Sequence, residues 1–206
     1  GNPFGHKSIA VLPFSNLSGD PDQEYFSDGM SEQLLDLLSR IPELRVISRT
    51  SAFAFKGKQV GMQEIVDQLG VSYVLEGSVR WAGDQVRVTA QLIDAQADAH
   101  LWSQTFDRPL DDIFSIQDEI AAIVVQELKV TLLQQAPTVE HTDPEAFALY
   151  LRARQLGRTG TIPAYEESSA LYEKALAIDP DYAAAWNGLA VNAFKQFSRG
   201  LRYYDE

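Results

Sequence analysis

The chain has 206 residues, of which 45% are hydrophobic and 22% are charged; its formal net charge is −12 and it contains no cysteine. This composition is typical of a globular chain with a hydrophobic core, long enough for one or two domains. Because like charges repel, the acidic balance disfavours binding to nucleic acids and to anionic membrane surfaces. The lack of cysteine excludes disulfides, thiolate metal sites and a cysteine nucleophile.

A strand, a polar loop and an amphipathic helix are predicted in residues 8–41. The apolar run of residues 9–14 is typical of a strand that is buried on both faces. Residues 15–22 are rich in turn-forming residues. Ser27 or Asp28 is expected to cap the helix that follows. One apolar face of that helix is formed by Met30, Leu34, Leu37, Leu38 and Ile41.

The next hundred residues predict an α/β domain with a mixed sheet. Residues 85–94 alternate between apolar and polar side chains, which is typical of a half-buried antiparallel strand. The complete prediction is the order βαβαβββα, with helices packed against the sheet. After the first strand and helix, its members are a strand at 44–48, a loop at 49–61, a helix at 62–69, strands at 71–80, 85–94 and 100–107, and a helix from Asp111 or Asp112 to about Leu133.

An all-α segment follows a polar linker at residues 135–142. Asp143, Pro144 and Glu145 together form a strong helix start: a capping side chain, a proline in the first turn and an acid at the positive end of the helix. Three helices are predicted, over residues 143–158, 162–178 and 183–197.

Several segments of the first domain resemble the TolB amino-terminal-type domain. The resemblance covers residues 7–134 and is carried by IAVLPF, NLSGDPDQEYFSDGMSEQL, LRVISRTSAFAFKGK, YVLEGSVR, VRVTAQLIDA and HLWSQTFDR. It implies a fold more firmly than a function, since the family offers no catalytic residues to transfer. In bacteria such domains often lie between an adenylate cyclase or winged-helix region and a series of tetratricopeptide repeats. The resemblance thus suggests a segment outside the inner membrane, tethered by an upstream span that is not in this chain, with the cytoplasm as the alternative.

Residues 143–206 resemble the start of a tetratricopeptide array of about one and a half repeats. The matching positions are Tyr172, Ala175, Pro180, Trp186, Leu189 and Ala190, whereas Ser168 and Ala193 depart from the pattern. Repeat arrays usually need about three repeats or a cap. We therefore expect either further repeats after Glu206 or docking of the last helix on another surface.

Two loops are candidates for binding a small ligand such as an anion. Polar loops at the carboxyl ends of strands are the usual ligand sites of α/β sheets. The candidate residues are Asn16, Ser18, Asp20, Arg49, Thr50, Lys56 and Lys58. The alternative, which the pattern favours, is that both loops are ordinary solvated surface. Metal binding is not expected, since a calcium loop counted from Asp20 lacks the required glycine and glutamate, and the three histidines are isolated.

The helical segment offers candidates for protein binding, namely Tyr150, Arg154, Trp186, Asn187 and Phe194. The sequence therefore predicts a non-catalytic interaction or sensory module without a cofactor. It would bind a protein partner or a second copy of itself, with no nucleic acid or membrane contact of its own. A small-ligand domain is the alternative.

Overall fold

A computed structural model describes residues 7–42, 44–127 and 140–202, with side chains to residue 198. The chain divides into two compact units, Gly1–Val139 and Glu140–Glu206. No helix of the described residues is both long and apolar enough to cross a membrane.

The first unit is built on a mixed six-stranded sheet. Its strands are β1 (Lys7–Val11), β2 (Ser15–Asn16), β3 (Leu44–Val46), β4 (Tyr73–Ala82), β5 (Gln85–Asp94) and β6 (Ala99–Pro109). The order across the sheet is β3-β1-β4-β5-β6, and β2 also pairs with β4. β1 pairs in parallel with β3 and β4, and β2 pairs in parallel with β4, whereas β4, β5 and β6 form an antiparallel meander. The predicted mixed sheet is confirmed.

Two helices cover one face of this sheet. They are α1 (Glu24–Leu38) and α4 (Ile113–Glu127), which contact each other and the strands. The covered face carries the alternate side chains Val86, Val88, Ala90 and Leu92 of β5, all fully buried. The period of two in the sequence therefore identifies the inner face of this strand.

The opposite face is covered at one end only. There, α2 (Arg49–Phe53) and α3 (Met62–Leu69) enclose a second apolar cluster that includes Leu12, Phe55 and Val74. Further along, the face is polar, with Arg87 beside Asp107 and Thr89 hydrogen-bonded to Thr105 at 3.1 Å. This half-open face creates the groove described below.

β1 and β2 act as one strand interrupted by a bulge. Val11 pairs with Leu75 and Ser15 pairs with Ser78, so the segment with β1 and β2 has one more residue than β4 between these two pairs. The N–H of Phe14 instead donates to Oγ of the buried Ser31 at 2.7 Å. Gly77 lies at this point of β4, where a Cβ would be 2.1 Å from the carbonyl oxygen of Thr89.

The first unit corrects three sequence-based expectations. Ser15 and Asn16, expected in the polar loop, form the short strand β2. The first helix begins at Glu24, after a 3₁₀ turn at Pro21–Gln23 that Asp20 caps, and not at Ser27 or Asp28. Both of those residues are buried in the helix. The loop predicted at 49–61 contains α2, because the Ser48 hydroxyl caps it. Leu128 to Leu133 of the last predicted helix, and most of the predicted linker, lie outside the described residues.

The second unit consists of α5 (Pro144–Gly157), α6 (Ile162–Ile178) and α7 (Ala183–Arg202). Asp143 caps α5 by accepting from the N–H of Glu145 at 2.8 Å, and Thr161 caps α6. The core contains an aromatic cluster of Phe147, Tyr150, Tyr172 and Tyr182. The caps and the aromatic cluster account for the start of two of these helices and for their common core, but the tetratricopeptide assignment stays a prediction.

Candidate functional site

Helix α7 presents a row of exposed aromatic side chains. Trp186, Phe194 and Phe197 are 56%, 71% and 67% exposed. With the exposed Ala190 they follow a spacing of four, four and three residues, which places them on one side of the helix. We call these four residues the α7 stripe. Large exposed apolar side chains grouped in this way mark interaction surfaces more often than scattered ones do.

The other side of α7 is fixed to the helices of its own unit. Asn192 is buried and donates to Oγ of Ser168 at 2.9 Å, and Ser168 donates to the carbonyl oxygen of Ala153 at 2.8 Å. Trp186 is itself held, because its indole N–H donates to the carbonyl oxygen of Pro180 at 2.8 Å. The stripe is therefore carried on an anchored helix.

The candidates for protein binding separate into two groups. Trp186 and Phe194 belong to the α7 stripe, and Asn187 is exposed beside it. Tyr150 is buried within the aromatic cluster, with its ring centroid 5.2 Å from that of Tyr182. The guanidinium of Arg154 lies 5.5 Å from the ring of Tyr150 and shares that environment. The sequence identified the aromatic residue types but could not tell the buried ring from the exposed ones, and it missed Phe197.

The first unit contains an open groove of about 680 Å³ on the half-covered sheet face. It lies where the bulge after β1 meets the segment that joins α2 to α3. Its walls carry both charge signs and several neutral polar groups. The polar residues among its lining are Ser15, Asn16, Glu24, Lys56, Lys58, Gln59, Glu76, Ser78, Thr89 and Gln91. Three of the seven predicted ligand residues, Asn16, Lys56 and Lys58, therefore come together here.

Lys56 is already neutralised by acids of α1. Its Nζ lies 2.6 Å from Oδ2 of Asp28 and 2.9 Å from Oε1 of Glu24. Burial raises the pKa of the Asp28 carboxyl in spite of the opposing Lys56 ammonium. Burial alone would lower the pKa of Lys56, but its hydrogen bonds to the two carboxylates more than offset this and raise it. Both shifts describe a partly buried ion pair whose lysine stays charged.

Arg49 is similarly bound by its own protein. Its Nε lies 2.7 Å from Oε1 of the buried Glu32, and its guanidinium lies 4.0 Å from the ring of Phe53. Thr50 is exposed and is not part of the groove. Of the three predicted cationic ligand residues Arg49, Lys56 and Lys58, the first two therefore fix α2 and the following loop against α1.

Ser18 and Asp20 form local structure outside the groove. The carboxylate of Asp20 accepts from the N–H of Asp22 at 2.9 Å, and Oγ of Ser18 accepts from the N–H of Trp81 at 2.9 Å. Asn16 bridges this loop, donating to the carbonyl oxygen of Asp20 at 2.8 Å. Within the described residues, no group of three or more histidine, aspartate or glutamate side chains could hold a metal ion.

Residues 5–123 match the family described as the second domain of HilA/YgeH-like transcriptional regulators. The chain belongs to this family. The HilA/YgeH-like chain is also 42% identical over 194 residues to a Rhizobium meliloti (strain 1021) protein named "Putative adenylate cyclase 3". That match covers 92% of this chain and 33% of the relative, so the chain spans only about a third of the relative's length.

Several solved structures of bacterial proteins resemble this chain at low sequence identity. TolB from Acinetobacter baumannii has a TM-score of 0.46 and 21% identity, over 60% of this chain and 28% of TolB. Lipoprotein GNA1162 from Neisseria meningitidis has a TM-score of 0.43 and 21% identity, over 61% and 98% of the two chains. The LpoB C-terminal domain from Escherichia coli has a TM-score of 0.39 and 17% identity, over 50% and 82%.

Proposed function

We propose that this chain is a non-catalytic interaction module of a larger bacterial regulatory protein, and that the α7 stripe is its docking surface for a protein partner. The observation that carries the proposal is the exposure of Trp186, Phe194 and Phe197 on one side of an anchored helix. Aromatic side chains are the residues that most often dominate the energy of protein interfaces. The family match and the longer relative support a role within a regulator.

The chemistry of α7 selects the kind of partner. Its sequence contains Lys195, Arg199 and Arg202 but no acidic residue, although the chain as a whole is strongly acidic. A stripe that repeats at helical spacing fits the apolar face of a second helix, as in helix-in-groove recognition. The partner segment proposed here is therefore an amphipathic helix with acidic residues beside its apolar face.

Photo-crosslinking in the native full-length protein tests this docking surface. A photoreactive residue at Phe194 or Phe197 should capture one defined partner, and the same residue at the exposed Glu166 of α6 should not. The crosslinked segment of the partner, made as a peptide, should then bind the purified chain. Substituting Phe194→Ala together with Phe197→Ala should weaken this binding at least about tenfold, as expected when anchor side chains are lost. Equal capture at Glu166, or unchanged peptide affinity, would rule the surface out.

The groove supports the second candidate function, the binding of a small polar ligand. Among the described residues, Lys58 lines the groove without an ion pair to a carboxylate, and Glu76 lines it from β4. Because Lys56 is neutralised and Glu76 adds negative charge, a small anion fits the groove less well than the sequence suggested. Thermal melts with a metabolite panel test this alternative: a stabilising compound should lose its effect in Lys58→Ala, and not in the control Lys7→Ala.

A further inference from the structure

The long strand β6 forms one edge of the sheet, and no described residue pairs with the outer row of its backbone groups. Among the described strands it pairs only with β5. The N–H of Leu110 donates to the carbonyl oxygen of Asp84 at 2.7 Å, which sets the alternation along this antiparallel ladder. The backbone groups of Phe106 and Arg108 therefore point toward β5. Those of Ser103, Thr105 and Asp107 point away from the sheet.

Two irregularities limit this free edge. At one end the pairing shifts its register, so that Leu101 lies between the pairs of Trp102 with Leu92 and of His100 with Ile93. At the other end Pro109 has no N–H to donate. The usable edge is thus residues 102–108, and its central residue is Thr105. Free edges of this kind recruit another strand unless they are blocked.

We propose that β6 pairs antiparallel with β6 of a second copy, with Thr105 on the two-fold axis. This register pairs Thr105 with itself and Ser103 with the partner's Asp107, so that every outward N–H and C=O between them is used. It also places Leu101 opposite the partner's Pro109, which means that the two irregularities coincide. Registers shifted to either side leave some of these outward groups without a partner.

The side chains agree with this register on both faces of the sheet. On the exposed polar face, Thr105 meets the partner's Thr105, and the Ser103 hydroxyl meets the partner's Asp107 carboxylate; such pairs are favourable across strands. On the other face, Trp102 lies opposite the partner's Arg108, and an aromatic ring facing a cation is a favourable pair. No two like charges are directly opposed. The inference concerns the first unit and does not depend on the α7 stripe.

Disulfide trapping with introduced cysteines tests the register. The chain has no cysteine of its own, so any disulfide that forms must involve the introduced residue. In Thr105→Cys, the two Cα atoms would be about 5.5 Å apart, within the range that a disulfide spans. In the control Ser103→Cys, the two cysteines would be about 13 Å apart, since four residues separate them along the strand. Mild oxidation should therefore link Thr105→Cys into covalent dimers and leave Ser103→Cys monomeric. No dimer at 105, or equal dimers at 103, would overturn the proposal.

A backbone substitution tests the hydrogen bonds themselves. Thr105→Pro removes an outward donor, which an edge strand tolerates, whereas Thr105→Val keeps it and removes only the hydroxyl bond to Thr89. By light scattering over a dilution series, the wild-type chain and Thr105→Val should form a concentration-dependent dimer and Thr105→Pro should not. The dimer should also strengthen with salt, because both copies carry a net charge of −12.

A monomer at every concentration, or a Thr105→Pro variant that dimerises like the wild type, would refute edge pairing. If Thr105→Pro shows no thermal unfolding transition, the variant has not folded. The comparison of Thr105→Cys with Ser103→Cys then tests the proposal by itself. Phe194→Glu should leave the dimer intact; a dimer that it abolishes would be formed by the α7 stripe and not by β6.

Discussion

The hydroxyl of Ser31 stabilises the bulge that shapes the groove. It accepts from the N–H of Phe14 at 2.7 Å and donates to the carbonyl oxygen of Ser27 at 3.1 Å, and all three residues are buried. The bulge removes Phe14 from the ladder with β4, so that water or a side chain must satisfy its N–H. In this fold a helix side chain does so.

Ser31→Ala should therefore destabilise the chain by about 1–3 kcal/mol, the usual cost of a buried donor without a partner. Urea unfolding measures this change. Ser39→Ala is the matched control, because Ser39 also bonds to a helix carbonyl but is exposed. Equal losses in the two variants would contradict the assigned role of Ser31.

Breaking the ion pair between Lys56 and Asp28 should make the stability of the fold depend more strongly on pH. A carboxyl whose pKa is raised by burial is most favourable to the fold at low pH, and this contribution is lost as pH rises through the raised pKa. Lys56→Met removes the opposing cation, so at neutral pH the variant should be less stable than the wild type by about 1 kcal/mol. The figure is modest because Lys56 is partly exposed. Melting temperatures from pH 4 to 8 (about the range of carboxyl titration) measure it.

The variant should approach wild-type stability on acidification, since protonated Asp28 needs no cation. Combining Lys56→Met with Asp28→Asn should remove most of the added pH dependence. A Lys56→Met variant with the same deficit at every pH would indicate a loss of packing and not of charge.

Between α6 and α7, a glycine sets how closely two helices approach. A Cβ at Gly188 would lie 2.3 Å from the ring of Tyr172, which is buried in the aromatic cluster and cannot move aside freely. Gly188→Ala should thus destabilise the second unit by about 1–3 kcal/mol through overpacking, even though alanine is the better helix former.

Asn187→Ala gives the control for helix propensity, since Asn187 is the exposed neighbour of Gly188 on the same helix. When the free energy of unfolding of both variants is measured in urea, Asn187→Ala should be neutral or slightly stabilising. A stabilised Gly188→Ala variant would show that Tyr172 is not packed against this position.

For the molecule as a whole, the two compact units should respond differently to alkali. Burial raises the pKa of Tyr172 to about 12, and it raises that of Tyr182 further. A tyrosine with a raised pKa contributes stability that is fully present below its ordinary value of about 10. This contribution is lost as pH rises through the folded value. Both residues lie in the second unit.

The helical unit should therefore lose stability between about pH 10 and 12, earlier than the sheet unit. Far-UV circular dichroism should show this as the early loss of a helical transition. Tyr172→Phe should weaken the effect because phenylalanine cannot ionise. Parallel loss of both units, or no change in Tyr172→Phe, would contradict this assignment. Separate expression of residues 1–139 and 140–206 would test the proposed division into two domains.

The sequence by itself determined the elements that depend on local chemistry and period. The alternation of Val86 to Leu92 placed the inner face of β5, and the Asp143 cap placed the start of α5, because both signals act over a few residues. The first helix was predicted too late, since the capped 3₁₀ turn at Pro21–Gln23 leads directly into it. Two short elements were missed entirely, the strand β2 at Ser15–Asn16 and the helix α2 that Ser48 caps.

Only the tertiary structure decided which polar and aromatic groups are available. Arg49 and Lys56 are candidates for an anion site in the sequence, but acids of α1, far from them in sequence, form ion pairs with both. Tyr150 and Phe194 are both aromatic residues on helices, yet one is buried and the other is exposed. Likewise, β6 is an edge because of the strand order. Such properties arise from contacts between distant segments, and no local pattern of residues encodes them.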